Sequence, residues 1–127
     1  MIAIDTSAIM AILLNEPEAD ACIAAIEAEE DIVISSTTLA ETLIVAGRRN
    51  IGAEAASLID GLGLEVASVT PASAKRVADA YANWGKGVHP AGLNFGDCFA
   101  YEVAKEHACP LLFVGGDFSQ TDIDRVF

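Results

Sequence analysis

The first 47 residues of this 127-residue chain carry nine acidic side chains and no lysine or arginine. Bases are scarce throughout, 7 against 19 acids, for a formal charge of −12. A nucleic-acid binder ordinarily shows a basic face, and the composition does not announce one. Such a charge suits a protein whose acids collect metal ions, or one that docks a basic partner. Its plainest reading is a solubilising surface. Cysteine is equally thin. Cys22, Cys98 and Cys109 are odd in number and form no CxxC pair, which argues against a disulfide framework or a zinc site. They read as small buried hydrophobes. A helix start lowers a thiol pKa, so Cys98 stands apart, although Asp97 beside it partly cancels the effect. The two histidines, His89 and His107, come without a G-x-S-x-G motif, and a serine or cysteine hydrolase is disfavoured. Long apolar runs are missing too. Ala8–Leu14 falls far short of the ~20 residues that cross a bilayer, and no basic segment of a signal peptide precedes it. The expectation is a cytoplasmic protein without a membrane role. Repeats, linkers and low-complexity segments are also absent, so residues 1–127 read as one domain. At 53% hydrophobic, the chain can bury a core without staples.

What is present is an alternation of short strands and helices. Ile2-Ala3-Ile4 predicts a strand ending at Asp5, and Thr6 and Ser7 offer caps for a helix over Ala8–Leu14. Pro17 suits the first position of a helix over Glu18–Glu29, with Ala19, Cys22, Ile23 and Ile26 inward. Ile32-Val33-Ile34 is the second strand. Ser35-Ser36-Thr37 caps a helix over Thr38–Arg49 with Leu39, Leu43 and Ala46 inward. A further helix, Gly52–Leu62, is closed by Gly61 and Gly63. Leu64–Val69 is the third strand, and Thr70-Pro71 opens a helix over Ala72–Trp84. A loop over Gly85–Gly92 leads to Asn94, an N-cap for the helix from Phe95, in whose first turn Asp97 falls. Pro110 ends that helix before a fourth strand, Leu111–Val114. The pattern predicts an α/β fold: a short parallel sheet of four to five strands with helices on both faces.

Four acids then share one edge of the predicted sheet. Asp5 closes the first strand and Asp117 follows the fourth. Glu41 lies early in the helix after strand two. Asp97 starts the helix that runs antiparallel into strand four, which begins at the same carboxyl edge. Open α/β sheets bind ligands outside that edge. Carboxylates brought together repel and raise one another's pKa, and a hard divalent cation such as Mg²⁺ relieves this while keeping several waters. Alone, Asp5 reads as a helix cap and Asp97 as an acid complementing a helix dipole. Glu41, amid Leu39, Ala40, Leu43, Ile44 and Val45, needs a partner or an ion.

Four blocks carry a resemblance: IDTSAI at Ile4–Ile9, TLAETLIVAGRR at Thr38–Arg49, LNFGDCFAYEVAK at Leu93–Lys105 and LLFVGGDFSQTDI at Leu111–Ile123. In order and spacing the chain resembles a PIN-domain nuclease, and more narrowly a VapC-type toxin of a type II toxin–antitoxin pair. The resemblance implies a three-layer PIN-like fold over the whole chain. It implies an endoribonuclease using Mg²⁺ or Mn²⁺, and the hypothesis that follows is attack of metal-activated water on a phosphodiester, leaving a 5′-phosphate and a 3′-hydroxyl. A homodimer and a cognate VapB-type antitoxin over the active-site groove are implied as partners. Carried over by residue, Asp5, Asp97 and Asp117 match the metal ligands, and Glu41 the acid of the third helix. Thr6 or Ser7 matches the supporting hydroxyl. The family often has Asn before the last acid. Here it is Gly116, which leaves Asp122 as a substitute or helper for Asp117.

Arg48, Arg49, Lys75, Arg76 and Lys86 are the bases available for phosphate contacts, with ordinary helix-end charges as the alternative. Phe95, Trp84 and Tyr81 read as core or dimer interface before base-stacking platforms. Two other functions compete. A HAD-like Mg²⁺ phosphatase wants a second Asp two residues after the first, where this chain has Ser7. A catalytically inactive PIN-type binding module would not need all four acids.

Overall fold

The computed structural model describes residues 1–127. Its strands are β1 (Ile2–Ile4), β2 (Ile32–Ser35), β3 (Glu65–Ala67) and β4 (Leu111–Leu112). Its helices are α1 (Thr6–Leu13), α2 (Ala19–Glu27), α3 (Ser36–Arg48), α4 (Gly52–Leu62), α5 (Pro71–Trp84) and α6 (Phe95–Glu106). All four strands pair in parallel in the order β3-β2-β1-β4. The expected sheet of four to five strands thus has four.

Period-two alternation in the two central strands sets the layers. Ile2, Ile4, Ile32 and Ile34 pack with Ala8 and Ile9 of α1 and with Cys22 and Ile26 of α2. Ala3 and Val33 face the other way, against Val77 and Ala80 of α5 and Cys98, Phe99, Val103 and Ala104 of α6. A fully buried isoleucine contributes roughly 1.5–3 kcal/mol, so a register slip of one residue, exchanging isoleucines for alanine and valine, is strongly opposed. No helix is long and apolar enough to cross a membrane.

Several boundaries differ from the sequence expectation. Asp5 itself is the N-cap of α1, and Thr6 and Ser7 are already helical. Ser35 alone caps α3, which therefore starts at Ser36. Pro17 lies in the turn before α2 and is not its first residue. Ile23 and Leu43 remain 38% and 40% exposed, because the apolar stripes on α2 and α3 are wider than the surfaces they pack on. The third strand is shorter than Leu64–Val69 and the fourth shorter than Leu111–Val114. Both lie at sheet edges, where a single neighbour limits how far pairing extends. Helix α6 is not one-sided. Asp97 through Ala104 are all buried, so it runs through the interior and brings its first turn to the sheet edge.

Candidate active site

Strand order locates the site. From β1 the chain moves one way, to β2 and β3, while β4 pairs on the other side of β1. The carboxyl ends of β1 and β4 therefore flank the point where winding reverses, the place where such sheets bind ligands. Asp5 leaves β1 there, and Asp117 follows β4 after a turn in which Gly115 adopts φ 97°.

Asp5 is 5% exposed. Its Oδ2 accepts hydrogen bonds from the Ser7 backbone N–H at 3.1 Å and the Ser7 hydroxyl at 2.7 Å. The Ser7 Oγ in turn accepts from the Val114 N–H at 3.0 Å, tying the first turn of α1 to the chain leaving β4. Burial pushes the Asp5 carboxyl above its usual range; the Ser7 donors oppose this and the charge of Glu41 adds to it. Position seven thus supports Asp5. Position six supports a different acid: the Thr6 hydroxyl donates to Glu41 Oε1 at 2.6 Å and lies 2.9 Å from the Thr42 hydroxyl. The partner Glu41 required on its apolar helix is Thr6.

Asp97 occupies the third position of α6 in a reciprocal capping box. The Asn94 side chain accepts from the Asp97 N–H at 2.8 Å, and Asp97 Oδ2 accepts from the Asn94 N–H at 3.0 Å. Even so, its carboxyl is pushed up to about 6. Burial is the main cause, the Asn94 N–H opposes it, and the charges of Asp5, Asp117 and Glu41 add to it. A helix N-terminus would be expected to hold Asp97 ionised. In the chain alone, burial and three like charges outweigh it. The same pair of effects, burial and then Asp97, lifts the Cys98 thiol to about 11, so Cys98 is not an activated nucleophile.

Asp97 thus feels the charges of the other three acids and Asp5 that of Glu41, and none of the four joins an ion pair within the chain. No three of them are placed closely enough to hold an ion as a ready-made cluster. Mg²⁺ needs only one or two direct carboxylates and fills the rest of its shell with water, and oxygen-only donors are the chemistry it would take. Asp122 is engaged elsewhere. It accepts from the Tyr101 hydroxyl at 2.6 Å and pairs with Lys105 at 3.0 Å, which leaves it tying the C-terminal segment to α6 rather than standing in for Asp117.

The basic candidates fall on three separate elements. Arg48 and Arg49 are exposed at the end of α3, seven residues beyond Glu41 and hence about 10 Å further along the axis. Arg76 is taken by Glu102 at 2.9 Å and Glu106 at 3.1 Å. Lys75 and Lys86 are exposed and unpaired. The Arg76–Glu102 pair escaped the sequence reading. Its one signal is a carboxylate in the middle of an otherwise apolar helix, which must find a partner once buried.

Two grooves flank the start of α6. The smaller, about 260 Å³, lies between α3 and α6 and contains Glu41 and Gly96. The larger, about 480 Å³, lies between α5 and α6 and is lined only by apolar side chains, among them Val77, Tyr81 and Phe99. Phe95, 69% exposed, lines both. The larger groove lacks the polar groups that chemistry requires, and of the four acids only Glu41 lines the smaller one.

A model of the PIN domain family matches residues 2–124. The chain belongs to the PIN-domain family. Within it, the chain is 40% identical over 126 residues to Ribonuclease VapC30 of Mycobacterium tuberculosis, spanning 97% of this chain and 96% of that protein. Among solved structures, M. tuberculosis VapC20, described as a sarcin–ricin loop cleaving toxin, superposes with a TM-score of 0.78 at 19% identity, over 99% and 98% of the two chains. A toxin–antitoxin complex from Klebsiella pneumoniae gives 0.70 at 17% identity, over 96% and 93%. The PIN fold thus accounts for all four strands.

Proposed function

We propose that this chain is a VapC-type endoribonuclease toxin that hydrolyses RNA phosphodiester bonds with a divalent cation, Mg²⁺ or in its place Mn²⁺. The observation that carries the reading is a pair of buried carboxylates, Asp5 and Asp97, whose proton affinity is raised by burial and further by neighbouring acids, with no cationic side chain paired to them. Full-length similarity to named ribonucleases supports it. Asp5, Asp97 and Asp117 would hold the ion, which supplies Lewis acidity for activating water and stabilising charge on phosphate oxygens. Ser7 fixes Asp5 through Oδ2, and Asn94 fixes Asp97 through its own N–H. Thr6 holds Glu41 by Oε1, so that Oε2 is left to orient the attacking water and accept its proton. Lys75 and Lys86 are the unengaged bases on the α5 side for the RNA backbone, and Arg48 and Arg49 those on the α3 side. A cognate VapB-type antitoxin, presenting basic side chains to this electronegative pocket, would silence the enzyme. A second copy of the chain completes the assembly, acting in the cytoplasm. The test is cleavage of an RNA panel with Mg²⁺, with EDTA and with Asp5→Asn. Cleavage is expected only for the wild-type protein with metal. Undiminished cleavage in EDTA or by Asp5→Asn overturns the proposal.

A further inference from the structure

After proline, glycine is the residue least suited to a helix, yet one stands between Phe95 and Asp97 in the first turn of α6. Backbone geometry does not ask for it. Gly63, Gly87, Gly92 and Gly115 have positive φ, and Gly96 does not. What requires it is a neighbour. A Cβ built on Gly96 would overlap Glu41 Oε2 and lie 3.0 Å from Glu41 Cδ. The other oxygen of that carboxylate is the one that accepts the Thr6 hydroxyl at 2.6 Å. Glu41 is therefore held between a donor on α1 and the bare backbone of α6. The capping residue is not threatened in the same way, since Asn94 Oδ1 would sit 3.5 Å from the added carbon, an ordinary contact. The atom that must yield is the tip of a flexible side chain. A methyl group at position 96 would thus displace the carboxylate and leave the helix in place.

We propose that Gly96 is a positioning residue of the hydrolytic site: its missing side chain is the seat of the Glu41 carboxylate, and Thr6 locks the carboxylate into that seat. The inference rests on the reading of Glu41 as a working acid. It adds a residue that touches neither RNA nor ion and acts only through Glu41.

The test is a cycle of Gly96→Ala, Glu41→Ala and the double variant, with two readouts. The first is thermal unfolding in EDTA. In the Glu41→Ala background, Gly96→Ala should raise Tm, because alanine is the better helix former and nothing opposes it. With Glu41 present the gain should shrink or reverse. Should Gly96→Ala fail to fold, the double variant should fold. The second readout is RNA cleavage with Mg²⁺. Gly96→Ala should lower kcat by about tenfold or more with KM little changed, the signature of a lost transition-state contact, and should cost nothing further in the Glu41→Ala background. Additive Tm changes overturn the seat, as does a double variant that stays unfolded. Full cleavage by Gly96→Ala or by Glu41→Ala overturns its catalytic role. If the wild-type protein cleaves no RNA, the ribonuclease reading fails by itself, and the unfolding cycle still decides whether Gly96 seats Glu41.

Discussion

Asp97→Asn should stabilise the metal-free protein at alkaline pH while abolishing its activity. Asp97 is 9% exposed and its carboxyl is raised from 3.8 to about 6. A raised acid binds its proton more tightly when folded, so the folded state loses stability as pH climbs through the interval between the two values. Above pH 7 the full displacement corresponds to at most about 3 kcal/mol. Water at the mouth of the groove screens part of this, leaving about 1–2 kcal/mol. Asparagine removes the charge, is nearly isosteric and still presents an oxygen to the Asn94 N–H. Urea unfolding in EDTA at pH 8 should therefore show a gain of about 1–2 kcal/mol, or about 4–8 °C in Tm. The gain should fall to roughly half at pH 5 and vanish near pH 3. Adding Mg²⁺ should reverse the order, since an ion that binds only the folded wild-type site stabilises it by mass action. A loss of stability in Asp97→Asn at both pH values would refute the reasoning and make Asp97 an ordinary cap.

Asp122→Asn should leave RNA cleavage intact and cost about 0.5–1 kcal/mol at pH 7. Its carboxyl lies below the usual range because the Tyr101 hydroxyl and Lys105 outweigh the effect of burial, so this contribution should be present above pH 4 and disappear as pH falls further, which unfolding at pH 7 and pH 3 would show. Arg76→Ala should lower Tm by more than Lys75→Ala, because it orphans the buried Glu102, whereas Lys75→Ala alone should weaken RNA binding in a filter assay and flatten its salt dependence.

The edge that carries the site could be read along the chain because strand ends and helix starts follow from periodicity and caps. Asp5 and Asp97 sit where a parallel strand ends and where a helix begins, Glu41 lies in the second turn of α3, and Asp117 lies in the segment that leaves β4. Individual supports could not be read this way. Thr6 and Ser7 are adjacent and chemically alike, yet α1 turns one toward Glu41 and the other toward Asp5 and Val114. Asp122 lies close to Asp117 in sequence, but the turn after Phe118 carries it to Tyr101 and Lys105. Gly96 looks like a weak point in a helix until Glu41, 55 positions earlier in the chain, is placed against it.

The sequence by itself determined the α/β alternation, the carboxyl edge and the four acids, because these depend on period, capping and chain direction, all local properties. Only the tertiary structure decided the strand order that opens a switch point between β1 and β4, the proton affinity of Asp97, and the seat of Glu41. Those depend on which distant segments become neighbours and on how much water they exclude. An acid at a helix start is stabilised by its own backbone, and that much is written locally. Whether burial and three like charges then overcome the backbone is a property of the assembled fold.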